Sequence, residues 1–248
     1  MKVSLFITCL SDAVYPRVGE AMVKLLARYG VQLHFPEVQT CCGQPAFNSG
    51  YWEEAQASAR TILKAFEDSD FVISPSGSCT GMIHHYYPKL FENDPVQLAK
   101  AQELASKTYE FTQFLVDVLG VEDVGAVFPH KVTYHPSCHG SRLLGIRSEP
   151  AVLMNNVKDM ELIPLPYAED CCGFGGTFAV KMCDISGAMV TEKTDHVLET
   201  EAEVLVGLDM GCLINISGNL RYRGRPVRVM HLAELLYEGV KAGERSAG

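Results

Sequence analysis

The sequence has no run of basic residues, no apolar stretch long enough to cross a bilayer and no familiar catalytic motif, and each absence removes a class of function. Lys and Arg together number 21 against 30 Asp and Glu, giving a formal net charge of −9. Nucleic-acid surfaces need a clustered excess of cations, so that role is excluded. The apolar segment Val3 to Leu10 stands behind a single Lys and is too short for a signal peptide or a membrane span. It reads as a buried strand, and the chain reads as cytoplasmic. Ser-His-Asp arrangements, paired catalytic carboxylates, His-Glu-x-x-His and a P-loop Lys-Ser/Thr are all missing. No residue identifies itself as a catalytic acid or base.

What the chain has in excess is cysteine, nine in 248 residues. Stable disulfides are rare in a reducing cytosol, so these cysteines call for metal, catalysis or burial as their explanation. Free cysteine is also a common core residue, and position has to decide.

A search for internal repeats decides it. At an offset of about 130 residues, Lys2-Val3-Ser4-Leu5-Phe6-Ile7-Thr8-Cys9 lies over Lys131-Val132-Thr133-Tyr134-His135-Pro136-Ser137-Cys138. Val31 to Pro36 lies over Glu161 to Pro166, each leading into Cys-Cys-Gly at Cys41-Cys42-Gly43 and Cys171-Cys172-Gly173. Phe71-Val72-Ile73-Ser74 lies over Val204-Leu205-Val206-Gly207, leading to Cys79 and Cys212. Eight cysteines thus form two quartets, and each follows an apolar strand-like run.

Between those runs the hydrophobic period turns helical. Val18, Met22, Leu25 and Tyr29 share a face of a helix that follows Pro16 and stops at Gly30. Trp52, Ala55, Ala59, Ile62 and Phe66 do so in the next, and Phe178, Met182, Ile185 and Met189 in its counterpart. Pro150 is expected in the first turn of a helix capped by Ser148. Segments Thr108 to Leu119 and His231 to Val240 add a helix after each half. The fold class is therefore α/β, two pseudo-symmetric repeats that each read β-α-β-α-β with a small, mostly parallel sheet. The repeats are assigned to residues 1–125 and 126–248, two cysteine-rich domains joined by a linker over Val121 to Lys131 that carries Gly125 and Pro129.

In a parallel sheet the strands end on one edge, and ligands bind in the crevice beyond it. Cys9, Cys41, Cys42 and Cys79 should converge there in the first half, and Cys138, Cys171, Cys172 and Cys212 in the second. Four thiolates suit Zn or an iron–sulfur cluster. Gly43 and Gly173 would let the backbone turn tightly and present amides to sulfur. The Cys-Cys-Gly-Phe-Gly-Gly loop at 171–176 lacks the spacing of a dinucleotide fingerprint. His135, His139 and Arg142 surround Cys138, where a cation could raise a cluster potential or attract the carboxylate of a small 2-hydroxy acid. Cys183 lies outside both quartets and is expected to be a buried packing residue; His84 to Tyr87 read as a partly buried helix face.

At these residues the chain resembles the cysteine-rich domain proteins that include the heterodisulfide reductase B subunit and the iron–sulfur subunits of glycolate and glycerol-3-phosphate oxidation, with the lactate-utilisation proteins most similar. The strings Cys41 to Gly50, Ser74 to Cys79, Cys171 to Thr177 and Val229 to His231 carry the resemblance. It implies an iron–sulfur electron-transfer component of cytosolic L-lactate oxidation to pyruvate, with partner proteins of the same pathway, one of ferredoxin type. The chain departs from the heterodisulfide reductase pattern in one respect: Cys79-Thr80-Gly81-Met82 and Cys212-Leu213-Ile214-Asn215 lack the final cysteine of a Cys-x-x-Cys. The four ligands left in each half fit a [4Fe–4S] cluster, two in all, or Zn in one or both sites. A Zn scaffold and a thiol–disulfide oxidoreductase are the alternatives; adjacent cysteines form only a strained disulfide, which weighs against the latter.

Overall fold

A computed structural model describes residues 2–225 and 227–247. Two all-parallel sheets of four strands form the framework. The first has the order β2-β1-β3-β4, with β1 Val3–Leu5, β2 Leu33–His34, β3 Phe71–Ser74 and β4 Thr108–Glu110. The second repeats it as β6-β5-β7-β8, with β5 Lys131–His135, β6 Glu161–Ile163, β7 Val204–Gly207 and β8 Arg228–His231. In each sheet the order reverses beside the first strand, the place where an open parallel sheet leaves a crevice for ligand.

The α/β class and its two repeats are as the sequence indicates, but each sheet carries a fourth strand. Thr108–Glu110 and His231 fall within the segments expected as helices, and Arg228 to Met230 just before the second of them carry no strand expectation. Three or four extended residues running straight into a helix leave no alternation to detect. The helix of Phe178, Met182, Ile185 and Met189 is also different. It breaks at Met182 between Phe178–Lys181 and Cys183–Glu199, and Met182 and Ile185 are exposed. In the helix Ser148–Asn155 the cap stands one residue earlier than expected: Arg147 takes that place, and its N–H donates to Glu149 Oε2.

Alternation along the first sheet divides its faces. Phe6 and Val72 pack with Ile62 of the helix Trp52–Ala65 and with Phe66 at its C-terminal cap. Val3, Leu5 and Ile73 face the other way, onto Val18, Met22 and Leu25 of the helix Arg17–Ala27. That core continues through Phe111 and Phe114 into Val132, Leu205, Leu232 and Leu236 of the second half. Val124, Ala126 and Phe128, from the stretch expected as a linker, are buried in it, while Glu122, Asp123, Gly125 and Pro129 to Lys131 are exposed. Arg28 and Glu244 pair across the two helices that lie together over this seam.

Glu110, at the end of β4, is wholly buried. It accepts hydrogen bonds from Thr112 N and Oγ1 at 2.7 and 2.5 Å, yet its Oε1 has no partner among the described residues. Burial, only partly offset by Thr112, lifts its pKa from 4.5 to about 7. The folded state then holds a proton that the unfolded chain releases between these values, so stability falls as pH rises through that window. The accumulated loss is about 3 kcal/mol. Glu110→Gln removes this titration. Its stability relative to wild type, from urea unfolding at pH 4.5 and pH 8, is expected to improve by about 3 kcal/mol toward the higher pH.

Candidate metal centre

Each quartet is assembled from three strand ends. Cys9 opens the helix Cys9–Val14 after β1, so it begins a helix rather than closing an extended run. Cys79 is the third residue of the helix Gly77–Gly81 after β3, and Cys212 the third of Met210–Tyr222 after β7. Cys138 immediately precedes the π-helical turn His139–Leu143 after β5. The pairs Cys41-Cys42 and Cys171-Cys172 lie in the loops after β2 and β6. Four of the eight thiols therefore sit at helix starts, where unpaired amides favour a thiolate.

Within the first quartet Cys9 Sγ donates to Cys41 Sγ at 3.9 Å and Cys42 Sγ to Cys79 Sγ at 3.3 Å. Hydrogen bonds from Cys42 and Cys9 hold Cys41 down to about 3, while bonds to Cys41 and then burial push Cys9 up. Cys42, which donates to Cys41 and Cys79, is likewise raised. The second half repeats this distribution. Cys171 is lowered to about 2 by bonds from Cys138 and Cys172, with the Gly173 amide adding a contact at 3.4 Å. Cys138 and Cys172, which donate to it, are raised. Four sulfurs in one crevice share protons because like charges so close cannot all ionise.

The cysteines of both halves line a single cavity of about 190 Å³. The loops that carry the cysteine pairs face each other across it: Ser49 Oγ lies 2.7 Å from Thr177 Oγ1, and the Lys181 ammonium stands 5.4 Å above the Tyr51 ring. The floor is tied together by Asp209. Its Oδ2 accepts from Ser76 Oγ and Ser78 N, both at 2.9 Å, and its Oδ1 from Gly211 N at 3.0 Å. Ser76 Oγ in turn accepts from Cys79 N at 3.1 Å. A second tie runs from His231 Nε2 to Pro75 O at 3.0 Å, with Nδ1 accepting from Ala233 N at 3.1 Å. Burial keeps this histidine neutral, its pKa down to about 4.

Gly43 and Gly173 both adopt the left-handed conformation, with φ of 82° and 80°. A Cβ there would meet backbone of the long helix further along, Ala55 O of Trp52–Ala65 at 3.1 Å and Ser186 O of Cys183–Glu199 at 2.8 Å. These glycines therefore serve close loop-to-helix packing as well as amide contact with sulfur. His139 lines the cavity, with Nδ1 3.5 Å from Cys138 Sγ and Nε2 3.4 Å from Gln44 Nε2. His135 is buried beneath the second quartet. Arg142 does not join them: its guanidinium is exposed and turned to Glu169. Cys183 is exposed, not a packing residue, because it sits at the helix break. Tyr87, by contrast, is fully buried and donates to Cys42 O at 3.0 Å.

Three contributors went unnoticed in the sequence. Asp209 is the counterpart of Ser76 in the repeat, and two good cap residues placed three before each cysteine were a legible signal. Gln44 donates to Ser78 O at 3.1 Å. Lys193 is buried and donates to Tyr167 O at 2.6 Å; burial lowers its pKa, while Asp170 and the second-half cysteines oppose that shift. One lysine within a helix gives no sign of such a role.

The donor set fits a thiophilic metal. Thiols from three strand ends converge in each half, glycine amides face sulfur, and His135, Cys172 and Cys212 place one donor atom each within 4.8 Å of one another. No helix among the described residues is long and apolar enough to cross a membrane. Comparison with known proteins agrees with the repeat. The cysteine-rich domain family matches residues 3–84 and again 132–217. Lactate utilization protein A of Geobacillus kaustophilus is 56% identical over 95% of this chain and 98% of its own. Lactate utilization protein A 2 of Bacillus cereus strain 03BB102 is 53% identical over 97% and 99%. Among solved structures, a hypothetical protein from Helicobacter pylori superposes with a TM-score of 0.66 at 10% identity over 96% of this chain. The chain spans about half (49%) of that protein, and the likeness is one of fold.

Proposed function

Because the chain belongs to the cysteine-rich domain family and is homologous over nearly its full length to lactate utilization proteins A, we propose that it acts in lactate utilisation as a metal-binding, electron-transferring component. In this reading it works in the cytoplasm with partner subunits, one of ferredoxin type, in the oxidation of L-lactate to pyruvate. Residues 1–125 and 126–248 are taken as the two cysteine-rich domains. Cys9, Cys41, Cys42 and Cys79 hold one [4Fe–4S] cluster, and Cys138, Cys171, Cys172 and Cys212 the other.

The observation that carries the proposal is the single cavity lined by all eight cysteines. An iron–sulfur cluster bound there supplies one-electron transfer. The chain's own part is to hold and orient. Cys41 and Cys171 each accept hydrogen bonds from two neighbouring thiols. Gly43 and Gly173 turn the backbone so that its amides face sulfur, and such contacts are among the means by which a protein tunes a cluster. Asp209 fixes the starts of the helices that carry Cys79 and Cys212. His139, on the cavity wall, is placed to meet the carboxylate of a small 2-hydroxy acid.

Anaerobic purification followed by iron, sulfide and zinc analysis and by EPR of the reduced protein tests this. Iron and sulfide in near-equal amounts with a reducible signal are expected. Zinc alone, with no iron after attempted cluster reconstitution, would replace electron transfer with a structural role.

A further inference from the structure

The two halves differ chemically at one position beneath their cysteines. In the repeat, Phe6 and His135 are counterparts, each three residues before its first cysteine. Phe6 is fully buried and meets Phe66 edge-on at 5.6 Å, so an aromatic ring at this place packs without any polar function. His135 is just as deep, 1% exposed at the end of β5, and neither ring nitrogen has a hydrogen-bond partner among the described residues. Two unmet polar atoms in a core are costly. Histidine here therefore calls for something that phenylalanine does not.

The neighbours show what that is. A ring nitrogen of His135 and the sulfurs of Cys172 and Cys212 all lie within 4.8 Å of one another. Donors on one tetrahedral ion, with bonds of about 2.0 Å to nitrogen and 2.3 Å to sulfur, stand somewhat closer than this. Asn215, on the helix of Cys212, does not compete for the place, because its Nδ2 donates to Cys172 O at 2.8 Å.

We propose that His135 is a metal ligand: the second half binds its metal through an imidazole nitrogen as well as thiolates, and the first half through thiolates alone. The inference rests on the reading of both quartets as metal sites. A neutral imidazole brings a further donor without adding negative charge to the second-half site.

The test uses the full chain carrying Cys41→Ser and Cys42→Ser, which confines bound metal to the second half, purified anaerobically and assayed for iron and zinc. X-ray absorption at the edge of the metal found should show a nitrogen shell at about 2.0–2.1 Å beside sulfur at about 2.3 Å. Adding His135→Phe should abolish the nitrogen shell and its imidazole ring scattering while the sulfur shell stays. A sulfur-only shell with His135 present overturns the inference and leaves the metal reading intact; no metal at all overturns both. If His135→Phe does not fold, His135→Gly is loaded with and without free imidazole. Return of the nitrogen shell only when imidazole is present supports ligation, and metal held on sulfur alone in both samples overturns it.

Discussion

Cys171→Ser and Cys41→Ser are each expected to remove about half of the bound metal, because structural metal sites lose most of their affinity when a thiolate is withdrawn. The sulfur contacts stay within a quartet, as in Cys9 to Cys41 and Cys42 to Cys79, so each half should load independently although both open into one cavity. Cys41 and Cys171 are the most informative positions. Each accepts hydrogen bonds from two of the other thiols in its set, so serine there removes the sulfur around which the rest are gathered. Elemental analysis of anaerobically purified variants reads the result, with far-UV circular dichroism confirming that the fold persists. Loss of all metal from either substitution would mean that one site bridges the halves. If the proposed electron-transfer role holds, lactate oxidation by the assembled system is expected to be lost in both variants, since a chain of centres conducts only when each is present.

Much of this arrangement could be read from the sequence because the repeat supplies its own internal comparison. A cysteine after one apolar run means little. The same cysteine after the matching run in the second half gives a topology, and a parallel sheet then turns sequence distance into spatial proximity. The strands β4 and β8 escaped because their three or four residues pass straight into helix, at Phe111 and Leu232, with no turn residue between them.

The site was legible at its thiols and less so at their supports. Arg142 lies four residues from Cys138, and proximity in sequence suggested a role at the cavity. The π-helical turn His139–Leu143 carries it out to Glu169 instead. His139, on the same turn, remains at the cavity. Whether two neighbours on a turn point together depends on its helical winding, which composition does not reveal. Nor could the sequence show that the two crevices open into one cavity. That follows from close contact between the halves: a Cβ on Gly77 would stand 2.8 Å from Ser137 Oγ and 3.0 Å from Gly140 Cα. Glycine is required at position 77 because of a residue far away in the chain, and only tertiary structure brings the two together.

Asp209→Ala should be the most damaging change outside the thiols. The carboxylate is nearly buried and accepts three hydrogen bonds, two of them from Ser76 and Ser78 in the other half. Alanine deletes a helix cap, worth about 1 kcal/mol. It also strands donors that had been bonded to a charged group, at about 1.5–3 kcal/mol for such a bond. These terms share atoms and do not simply add, so a loss of about 3 kcal/mol is expected, which for a chain of this size corresponds to a fall of roughly 10 °C in Tm. Asp209→Asn keeps a capping oxygen and one acceptor, and should lose about half as much. The damage should also reach the metal. Ser76 and Asp209 together hold the starts of the helices bearing Cys79 and Cys212, so Asp209→Ala should lower the metal content of both halves, whereas each cysteine variant empties only its own. Thermal unfolding and metal analysis on the same preparations would separate these outcomes: a variant that loses stability but keeps full metal in both halves would show that the tie holds the halves together without aligning their cysteines.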